Sequence, residues 1–166
     1  MNSAVELRAQ EARDAASIRS LLTAAFPTAA EADLVEQLHK DGDAVISLVA
    51  IVGDEVAGFI LLSRMLAPQR ALGLAPLAVS ANHQHQGIAS RLVDTALSLA
   101  RERDWKSVFV LGDPGFYQRF GFDAELAAGF TSPYAGPYLM VRPLTKAGLD
   151  VTSGPVDYAP AFAALG

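Results

Sequence analysis

The hydrophobic and polar positions at the start of the chain follow two different periods. Residues 5–9 alternate as a strand does, whereas apolar residues between Glu11 and Ala25 recur every three or four positions, as on the buried face of a helix. The same helical spacing returns between Ala29 and Lys40, where Thr28 and Glu31 match the pattern of a capping box. We therefore predict a strand followed by two helices.

Strand-like apolar runs dominate the middle of the chain. Residues 45–52 and 55–64 are joined by Gly53-Asp54, a dipeptide typical of a tight hairpin, and a third run covers residues 72–79. The remaining predicted elements are a helix over 88–103, a buried strand over 108–111, a short helix over 114–120 and a strand over 138–142. The resulting order, β-α-α-β-β-β-α-β-α-β, predicts an α/β fold in which helices flank a mixed central β-sheet.

Length and composition favour one folded domain over residues 1–166. A chain of 166 residues, 51% of them hydrophobic and 19% charged, is long enough to bury a core of its own. Residues 145–166 contain several glycines and prolines, with Tyr158 and Phe162 interspersed and no clear period. We interpret this segment as an ordered C-terminal strap rather than as a second domain.

Charge, cysteine content and hydropathy exclude several classes of protein. Thirteen Lys and Arg against eighteen Asp and Glu give a net charge of −5, the wrong sign for a protein that neutralises nucleic-acid phosphates. Without cysteine, the chain has no disulfide, cysteine-ligated metal or thiol nucleophile. No apolar run could span a bilayer, and residues 1–6 lack the features of a signal peptide. We expect a cytoplasmic protein that binds neither nucleic acid nor membrane.

The segment from Leu77 to Leu92 contains the first candidate site. It passes from a predicted strand through a short loop into a helix, and free amides at a helix N-terminus can hold a pyrophosphate. Gly87 lets a ligand approach the backbone closely, and the small residues Ala89 and Ser90 keep the surface open. The alternative is a structural turn capped by Asn82. The chain contains neither G-x-x-x-x-G-K-[ST] nor G-x-G-x-x-G, which argues against P-loop and Rossmann sites.

Two motifs resemble those of one enzyme superfamily. Gln84-His85-Gln86-Gly87-Ile88-Ala89 is similar to the [RQ]-x-x-G-x-[GA] motif of the GNAT superfamily of acetyl-coenzyme A-dependent N-acyltransferases. Residues 111–122 resemble the Y-x-x-x-G-F signature of that superfamily, in the fuller form G-D-P-x-F-Y-x-R-F-G-F of a bacterial subgroup. Residues 76–79 and 154–158 also resemble this subgroup, so the resemblance covers nearly the whole chain.

The resemblance implies acetyl-CoA as co-substrate, bound as a pseudo-strand where the strand ending at Val79 splays from the strand over 108–111. It also implies that the amides of residues 84–90 cradle the pyrophosphate and that an amide near Ala78 or Val79 donates to the thioester carbonyl. The cofactor-binding residues so implied are Leu77, Ala78, Val79, Gln84, His85, Gln86, Gly87, Ile88, Ala89, Ser90, Phe116 and Arg119. Arg91 and Arg119 are candidates for further phosphate contacts, with ordinary surface arginines as the alternative.

Tyr117 is the predicted catalytic residue. It matches the tyrosine that, in many members of the superfamily, protonates the departing coenzyme A thiolate. A phenol suits this step because its usual pKa, about 10, lies near or above the pKa of the thiol. The alternative is a packing role against the cofactor.

The sequence does not identify a general base for the amine. Residues 71–81, a region that often has a carboxylate in this family, contain none. A water relay is one candidate, and the second helix offers Glu31, Asp33 and Glu36, although acidic residues on an exposed helix face are common. His83 and His85 form an H-x-H pair without an evident third ligand, so we predict no metal site.

These features predict transfer of an acetyl group from acetyl-CoA to a primary amine by direct attack in a ternary complex. Direct attack is favoured because the chain has no cysteine and no G-x-S-x-G elbow. The alternative function is a non-catalytic acyl-CoA-binding or sensing module. The acceptor, a small-molecule amine or a peptide amine, is expected between residues 27–41 and residues 126–137, which include Phe130 and Tyr134. The resemblance is also compatible with a homodimer.

Overall fold

The structure, a computed structural model, describes residues 4–133, 136–146 and 148–165. Its strands are β1 (Val5–Ala9), β2 (Ala44–Val52), β3 (Glu55–Arg64), β4 (Ala71–Val79), β5 (Ser107–Leu111), β6 (Phe130–Thr131), β7 (Leu139–Pro143) and β8 (Gly154–Pro155). Its α-helices are α1 (Ala15–Ala25), α2 (Ala30–Lys40), α3 (Ile88–Glu102), α4 (Pro114–Tyr117) and α5 (Ala124–Ala127). Within the described residues, no helix combines the length and apolar character needed to cross a bilayer.

Six strands form one sheet in the order β1-β2-β3-β4-β5-β7. Each neighbouring pair is antiparallel except β4 and β5, which are parallel and are connected through α3. The predicted hairpin joins β2 to β3, and its turn contains Gly53 at φ +63°. Strands β6 and β8 pair with each other outside this sheet. The predicted mixed α/β fold is confirmed.

Successive side chains of a strand point to opposite faces of the sheet, and apolar side chains occur on both faces here. Helices therefore cover both faces. Ile60 and Leu92 belong to the core beneath α3, whereas Phe59 belongs to the core beneath α1 and α2. Helix α3 lies very close to β3, since a Cβ atom at Gly58 would be 3.0 Å from Ile88 Cγ2. This packing fixes the N-terminal end of α3 against the sheet.

The main elements occur in the predicted order, with boundaries that differ by a few residues. The capping box predicted for Thr28 and Glu31 is wrong, because α2 begins at Ala30 and the Thr28 hydroxyl accepts the Ala30 amide at 3.2 Å. Glu31 Oε1 is buried instead, with no hydrogen-bond partner among the described residues. The sequence pattern also misses α5, β6 and β8, which contain only two to four residues each.

The C-terminal segment is held to the rest of the chain at three places. Strand β8 pairs with β6, the backbone of Asp157 bridges to Ala67, and the turn beginning at Pro160 packs against α2. The buried apolar side chains of this segment are Val156, Ala159 and Phe162. The segment therefore contributes to the hydrophobic core rather than lying free on the surface.

Asp14, which is 5% exposed, anchors the connection between β1 and α1. Its carboxylate accepts two hydrogen bonds from the Arg8 guanidinium, at 2.7 and 2.9 Å, and one from the Glu11 amide at 2.7 Å. We expect Asp14→Asn to lower the free energy of unfolding by about 2 kcal/mol, because it removes the negative charge opposite Arg8 and replaces one of the two accepting oxygens with an NH2 donor. Denaturant unfolding at neutral pH measures this loss, with the exposed Asp94→Asn as the matched control.

The stability supplied by Asp14 depends on pH. The hydrogen bond from Arg8 is the main cause that lowers the pKa of Asp14 from 3.8 to about 2. A lowered carboxyl pKa stabilises the folded state above the unfolded pKa, and this stabilisation disappears as the pH falls through the folded pKa. The stability difference between the original chain and Asp14→Asn should therefore shrink between about pH 4 and pH 2. A constant difference over that range would contradict this explanation.

Candidate active site

Strands β4 and β5 separate as the sheet approaches the candidate site. They pair only from Ala71 to Gly73, opposite residues 107–109. Beyond Gly73, β4 remains paired with β3 as far as Val79, which is opposite Gly58. The edge of β4 that faces β5 consequently has backbone donors and acceptors without a strand partner. This is the splay that the family resemblance implies.

A cavity of about 650 Å³, here called the splay cavity, lies at this opening. The residues that line it are Leu77, Ala78, Val79, His83, Gln84, His85, Gly87, Ile88, Ala89, Ser90, Phe116 and Arg119. All the predicted cofactor-binding residues except Gln86 are in this set, and His83 is an addition. No lining residue is acidic. The fold thus brings the two sequence motifs together around one cavity whose only charged or titratable side chains are basic.

Backbone amides at the start of α3 form part of the wall of the splay cavity. Gly87 is the N-cap of α3 at φ +79°, so no side chain caps the first turn. The amides of residues 88–90 have no acceptor within the helix, because their partners would precede its first turn. His85 also has a left-handed backbone, at φ +64°. A Cβ atom at Gly87 would meet nothing within 4 Å, so this surface is open to a ligand.

The two candidate arginines have different positions. Arg119 lines the splay cavity, and its guanidinium lies over the rings of Phe116 and Phe120 at 4.9 and 5.5 Å. Arg91 does not line the cavity and donates to the Val5 carbonyl at 3.4 Å. The structure therefore places Arg119, and not Arg91, where it can contact an anion in the cavity.

Tyr117 lies at the end of α4, beside the cavity residue Phe116. Its ring contacts Phe116 and Phe122 edge to face, with centroid distances of 4.9 and 5.6 Å. The ring also covers Gly112, where a Cβ atom would be 2.4 Å from Tyr117 Cε2. Tyr117 itself does not line the splay cavity. Burial raises the pKa of its phenol to about 12, so the hydroxyl keeps its proton at neutral pH.

The predicted base candidates on α2 are separate from the splay cavity. Asp33 and Glu36 form ion pairs with Arg19 of α1, at 2.9 and 3.0 Å. Neither residue lines the splay cavity, and neither does Glu31. The ion pairs give Asp33 and Glu36 a structural role between α1 and α2.

The histidines of the loop do not act as a pair. His83 Nε2 lies 3.1 Å from Glu55 Oε2, at the start of β3, while His85 is exposed beside Gly87. In the part of the chain that the structure describes, no group of three or more His, Cys, Asp or Glu side chains is arranged to hold a metal ion.

A larger cavity, of about 980 Å³, lies next to the splay cavity and is here called the α1 cavity. One face of α1, the β2–β3 turn and the end of β4 form its walls. Glu55 and Ser80 line it, and sequence analysis misses both. The hairpin pattern places Glu55 at an end of the sheet, but only the structure shows that it contacts His83, in the loop that follows β4.

The segments expected to enclose the acceptor do not line either of these cavities. No residue of 27–41 and no described residue of 126–137 is part of either wall. Phe130 is buried in β6, and Tyr134 lies outside the described residues. That expected position of the acceptor therefore gains no support.

Comparison with known proteins assigns this fold and site to a class. The sequence profile of the Acetyltransferase (GNAT) family matches residues 15–122, more than half of the chain. The chain therefore belongs to the GNAT acetyltransferase family and is an acyltransferase. This assignment favours the catalytic interpretation over a binding module without activity.

Relatives of known sequence and structure agree with this assignment. The uncharacterized N-acetyltransferase YhbS of Escherichia coli K12 is 36% identical over 157 residues, 90% of this chain and 93% of YhbS. The uncharacterized N-acetyltransferase YjhQ of the same strain is 37% identical over 133 residues, 75% of this chain and 73% of YjhQ.

Two similar solved structures contain coenzyme A or its acetyl thioester. A crystal structure of Escherichia coli YhbS in complex with CoA has a TM-score of 0.92 and 31% identity, and covers 100% of this chain and 96% of its own. A GNAT family acetyltransferase of Brucella melitensis in complex with acetyl-CoA has a TM-score of 0.82 and 29% identity, and covers 96% of this chain and 99% of its own.

Proposed function

We infer that this protein transfers the acetyl group of acetyl-CoA to a primary amine by direct attack in a ternary complex. The observation that carries this proposal is the splay cavity, in which unpaired β4 backbone, free α3 amides and a basic side chain meet without a carboxylate. Such a surface is suited to a ligand that has both amide groups and phosphates. The bound CoA and acetyl-CoA of the two similar structures support the same ligand class.

Each part of the splay cavity has a separate task in binding acetyl-CoA. The amides from Gly87 to Ser90 receive the pyrophosphate at the positive end of the α3 dipole. Arg119 adds a cation at the rim, held in place by the Phe116 and Phe120 rings. The unpaired edge of β4 at residues 77–79 hydrogen-bonds the pantetheine arm as a neighbouring strand would.

The reaction requires one bond to form and one to break. Acetyl-CoA supplies an activated acetyl group when it is bound. The neutral nitrogen of the acceptor bonds to the acetyl carbon, the carbon–sulfur bond breaks, the nitrogen releases a proton to water and the sulfur gains one. A β4 amide near Ala78 or Val79 donates a hydrogen bond to the carbonyl oxygen as negative charge develops there.

Tyr117 is the proposed proton donor to the departing sulfur. Its position beside Phe116 and its protonated state at neutral pH support this role. The same burial that raises the phenol pKa also disfavours a free thiolate nearby, because a charge is costly where water is excluded. Donation leaves a phenolate, whose charge is equally costly at this buried site, so Tyr117 must regain a proton from water as the thiol departs.

The pH dependence of turnover tests whether a side chain or water accepts the amine proton. Since β4 has no carboxylate, we expect the rate to rise with pH until it approaches the pKa of the acceptor. An alkylamine acceptor has a pKa of about 10, and the terminal amine of a peptide has a pKa of about 8. The rising parts of their two pH–rate profiles, here called the rising limbs, should therefore have midpoints about two pH units apart. Coenzyme A release at saturating acetyl-CoA measures both profiles.

One outcome would assign a base to the protein instead. If the rising limb of the pH–rate profile has its midpoint near pH 6–7 for both acceptors, a side chain of the protein titrates in that step, because the usual histidine pKa lies in this range. His83→Ala, Glu31→Gln and Glu36→Gln would then be compared, and the variant that abolishes the limb would identify the base.

A further inference from the structure

The loop between β4 and α3, residues 80–87, is here called the α3 loop, and one side-chain hydrogen bond connects it to the β2–β3 hairpin. His83 Nε2 lies 3.1 Å from Glu55 Oε2, at the first residue of β3. The backbone adds a second connection, because the Ser80 amide donates to the Ala57 carbonyl at 2.8 Å. Among the described residues, His83 and Glu55 are the only hydrogen-bonded pair of side chains that joins this loop to another element.

The two partners of this hydrogen bond have different positions. The His83 side chain is 17% exposed and lines the splay cavity, whereas the Glu55 side chain is 54% exposed and lines the α1 cavity. A carboxylate only accepts hydrogen bonds, so the imidazole nitrogen donates and Glu55 fixes the orientation of the ring. Glu55 therefore acts on the wall of the splay cavity through His83, although it does not line that cavity itself.

The α3 loop has a backbone conformation that needs support from other parts of the chain. His85 and Gly87 have left-handed φ angles of +64° and +79°, and the amides of residues 88–90 have no acceptor within the helix. A loop that is ordered only when its ligand binds loses conformational entropy at that moment, which lowers affinity. A contact that orders the loop before binding removes part of this cost.

We propose that His83 and Glu55 are positioning residues for acetyl-CoA: the Glu55 carboxylate holds the His83 ring and thereby keeps the α3 loop in the conformation that receives the pyrophosphate. This proposal rests on the proposed function and adds two residues that neither sequence motif contains. Its consequence is opposite to that of charge alone. Loss of a carboxylate near a site for a polyanion should strengthen binding through charge, whereas loss of Glu55 should weaken binding because the loop loses its contact.

Removal of the Glu55 carboxylate tests this difference in sign. Glu55→Ala should weaken acetyl-CoA binding about fivefold, the effect of losing one partly exposed hydrogen bond to a carboxylate, and titration calorimetry measures the change. Asp54→Ala is the matched control, because Asp54 precedes Glu55 in the same turn and lines the same cavity, but does not bond to His83. It should bind acetyl-CoA as tightly as the original chain or slightly more tightly. Thermal unfolding verifies that both variants are folded.

Substitutions of His83 test whether the two side chains act together. His83→Ala should weaken acetyl-CoA binding by about the same factor, and adding Glu55→Ala to it should cause no further loss, because both changes remove one contact. His83→Gln keeps an N–H donor near the position of Nε2, so it should retain most of the affinity. If His83 instead acted only by contacting the phosphates itself, Glu55→Ala alone would leave the affinity unchanged or raise it.

Kinetic constants distinguish positioning from a loss of folded protein. With an amine that the protein acetylates, Glu55→Ala should raise KM for acetyl-CoA about fivefold and lower kcat by a smaller factor, because saturating acetyl-CoA orders the loop. A variant that is merely unfolded in part would instead have a lower apparent kcat at the original KM. The change in KM therefore identifies an effect on the binding loop.

The calorimetric titrations separate failure of this proposal from failure of the proposed function. If the original chain binds acetyl-CoA and Glu55→Ala binds it equally well or more tightly, the positioning role is wrong and the proposed function stands. The same conclusion follows if Asp54→Ala weakens binding as much as Glu55→Ala does. If the original chain does not bind acetyl-CoA at millimolar concentration, the proposed function fails, and the positioning role, which requires that binding, fails with it.

Discussion

Gly87→Glu should weaken acetyl-CoA binding at least about hundredfold while the protein remains folded. Gly87 is the N-cap of α3, and its surroundings are open, so the new carboxylate would occupy the space proposed for the pyrophosphate. The negative charges of the new carboxylate and of the pyrophosphate would repel each other, which costs several kcal/mol. The pyrophosphate would also lose access to the α3 amides. Titration calorimetry with acetyl-CoA measures the change directly.

The chain provides a close control for this substitution. Gly42 follows α2 at φ +77°, nearly the φ of Gly87, and a Cβ atom there also meets nothing within 4 Å. Gly42→Glu therefore imposes the same backbone strain and the same charge at a position outside the splay cavity. It should bind acetyl-CoA as the original chain does. Equal affinities for the folded Gly87→Glu variant and this control would show that the α3 loop does not hold the pyrophosphate.

Tyr117→Phe should lower turnover on the order of tenfold to a thousandfold and leave acetyl-CoA affinity nearly unchanged. The substitution removes one oxygen and keeps the ring that packs between Phe116, Phe122 and Gly112. A proton donor acts only as the sulfur leaves, so its loss affects kcat rather than the binding of the ground state. Steady-state kinetics and calorimetry together distinguish the two effects.

Tyr138→Phe is the matched control for Tyr117→Phe. Tyr138 is 62% exposed and lines neither cavity, so loss of its hydroxyl should leave kcat at its original value. If turnover is unchanged in Tyr117→Phe, the role of Tyr117 is packing, which was the alternative to proton donation. Its position outside the wall of the splay cavity is compatible with that alternative. Rescue of turnover by a more acidic acyl-thiol leaving group would support the donor role, because a better leaving group needs less protonation.

The long elements and the ligand loop could be predicted from sequence because their patterns are local. Strand β3 and the start of α3 occur where the periodicity predicts them, and the glycine motif occurs at the N-terminus of that helix. Helix α5 is harder to predict, since it has one turn and is capped by the Asp123 carboxylate while the Asp123 backbone bridges to Val141. The capping-box pattern at Thr28 was misleading because α2 begins at Ala30, one residue later than the pattern predicts, so that Glu31 is the second helical residue instead of the third.

The composition of the site depends on contacts between distant parts of the chain. Glu55 approaches the loop residue His83 only because β3 and β4 pair in the register that sets Gly58 opposite Val79. The position of Tyr117 likewise depends on Gly112, which leaves room for the ring against β5. Neither relation follows from periodicity or from a motif. The two cavities, one with basic and one with acidic lining residues, could therefore be found only from the three-dimensional structure.

The most direct test of the account follows the acetyl group itself. The protein is incubated with acetyl-labelled acetyl-CoA and a panel of primary amines, and the label is traced by mass spectrometry in the amines and in the protein. We predict that the label appears on the nitrogen of an amine, with one coenzyme A released for each acetylated amine and no label bound covalently to the protein. Label retained on the protein, or coenzyme A release without an acetylated amine, would contradict direct transfer.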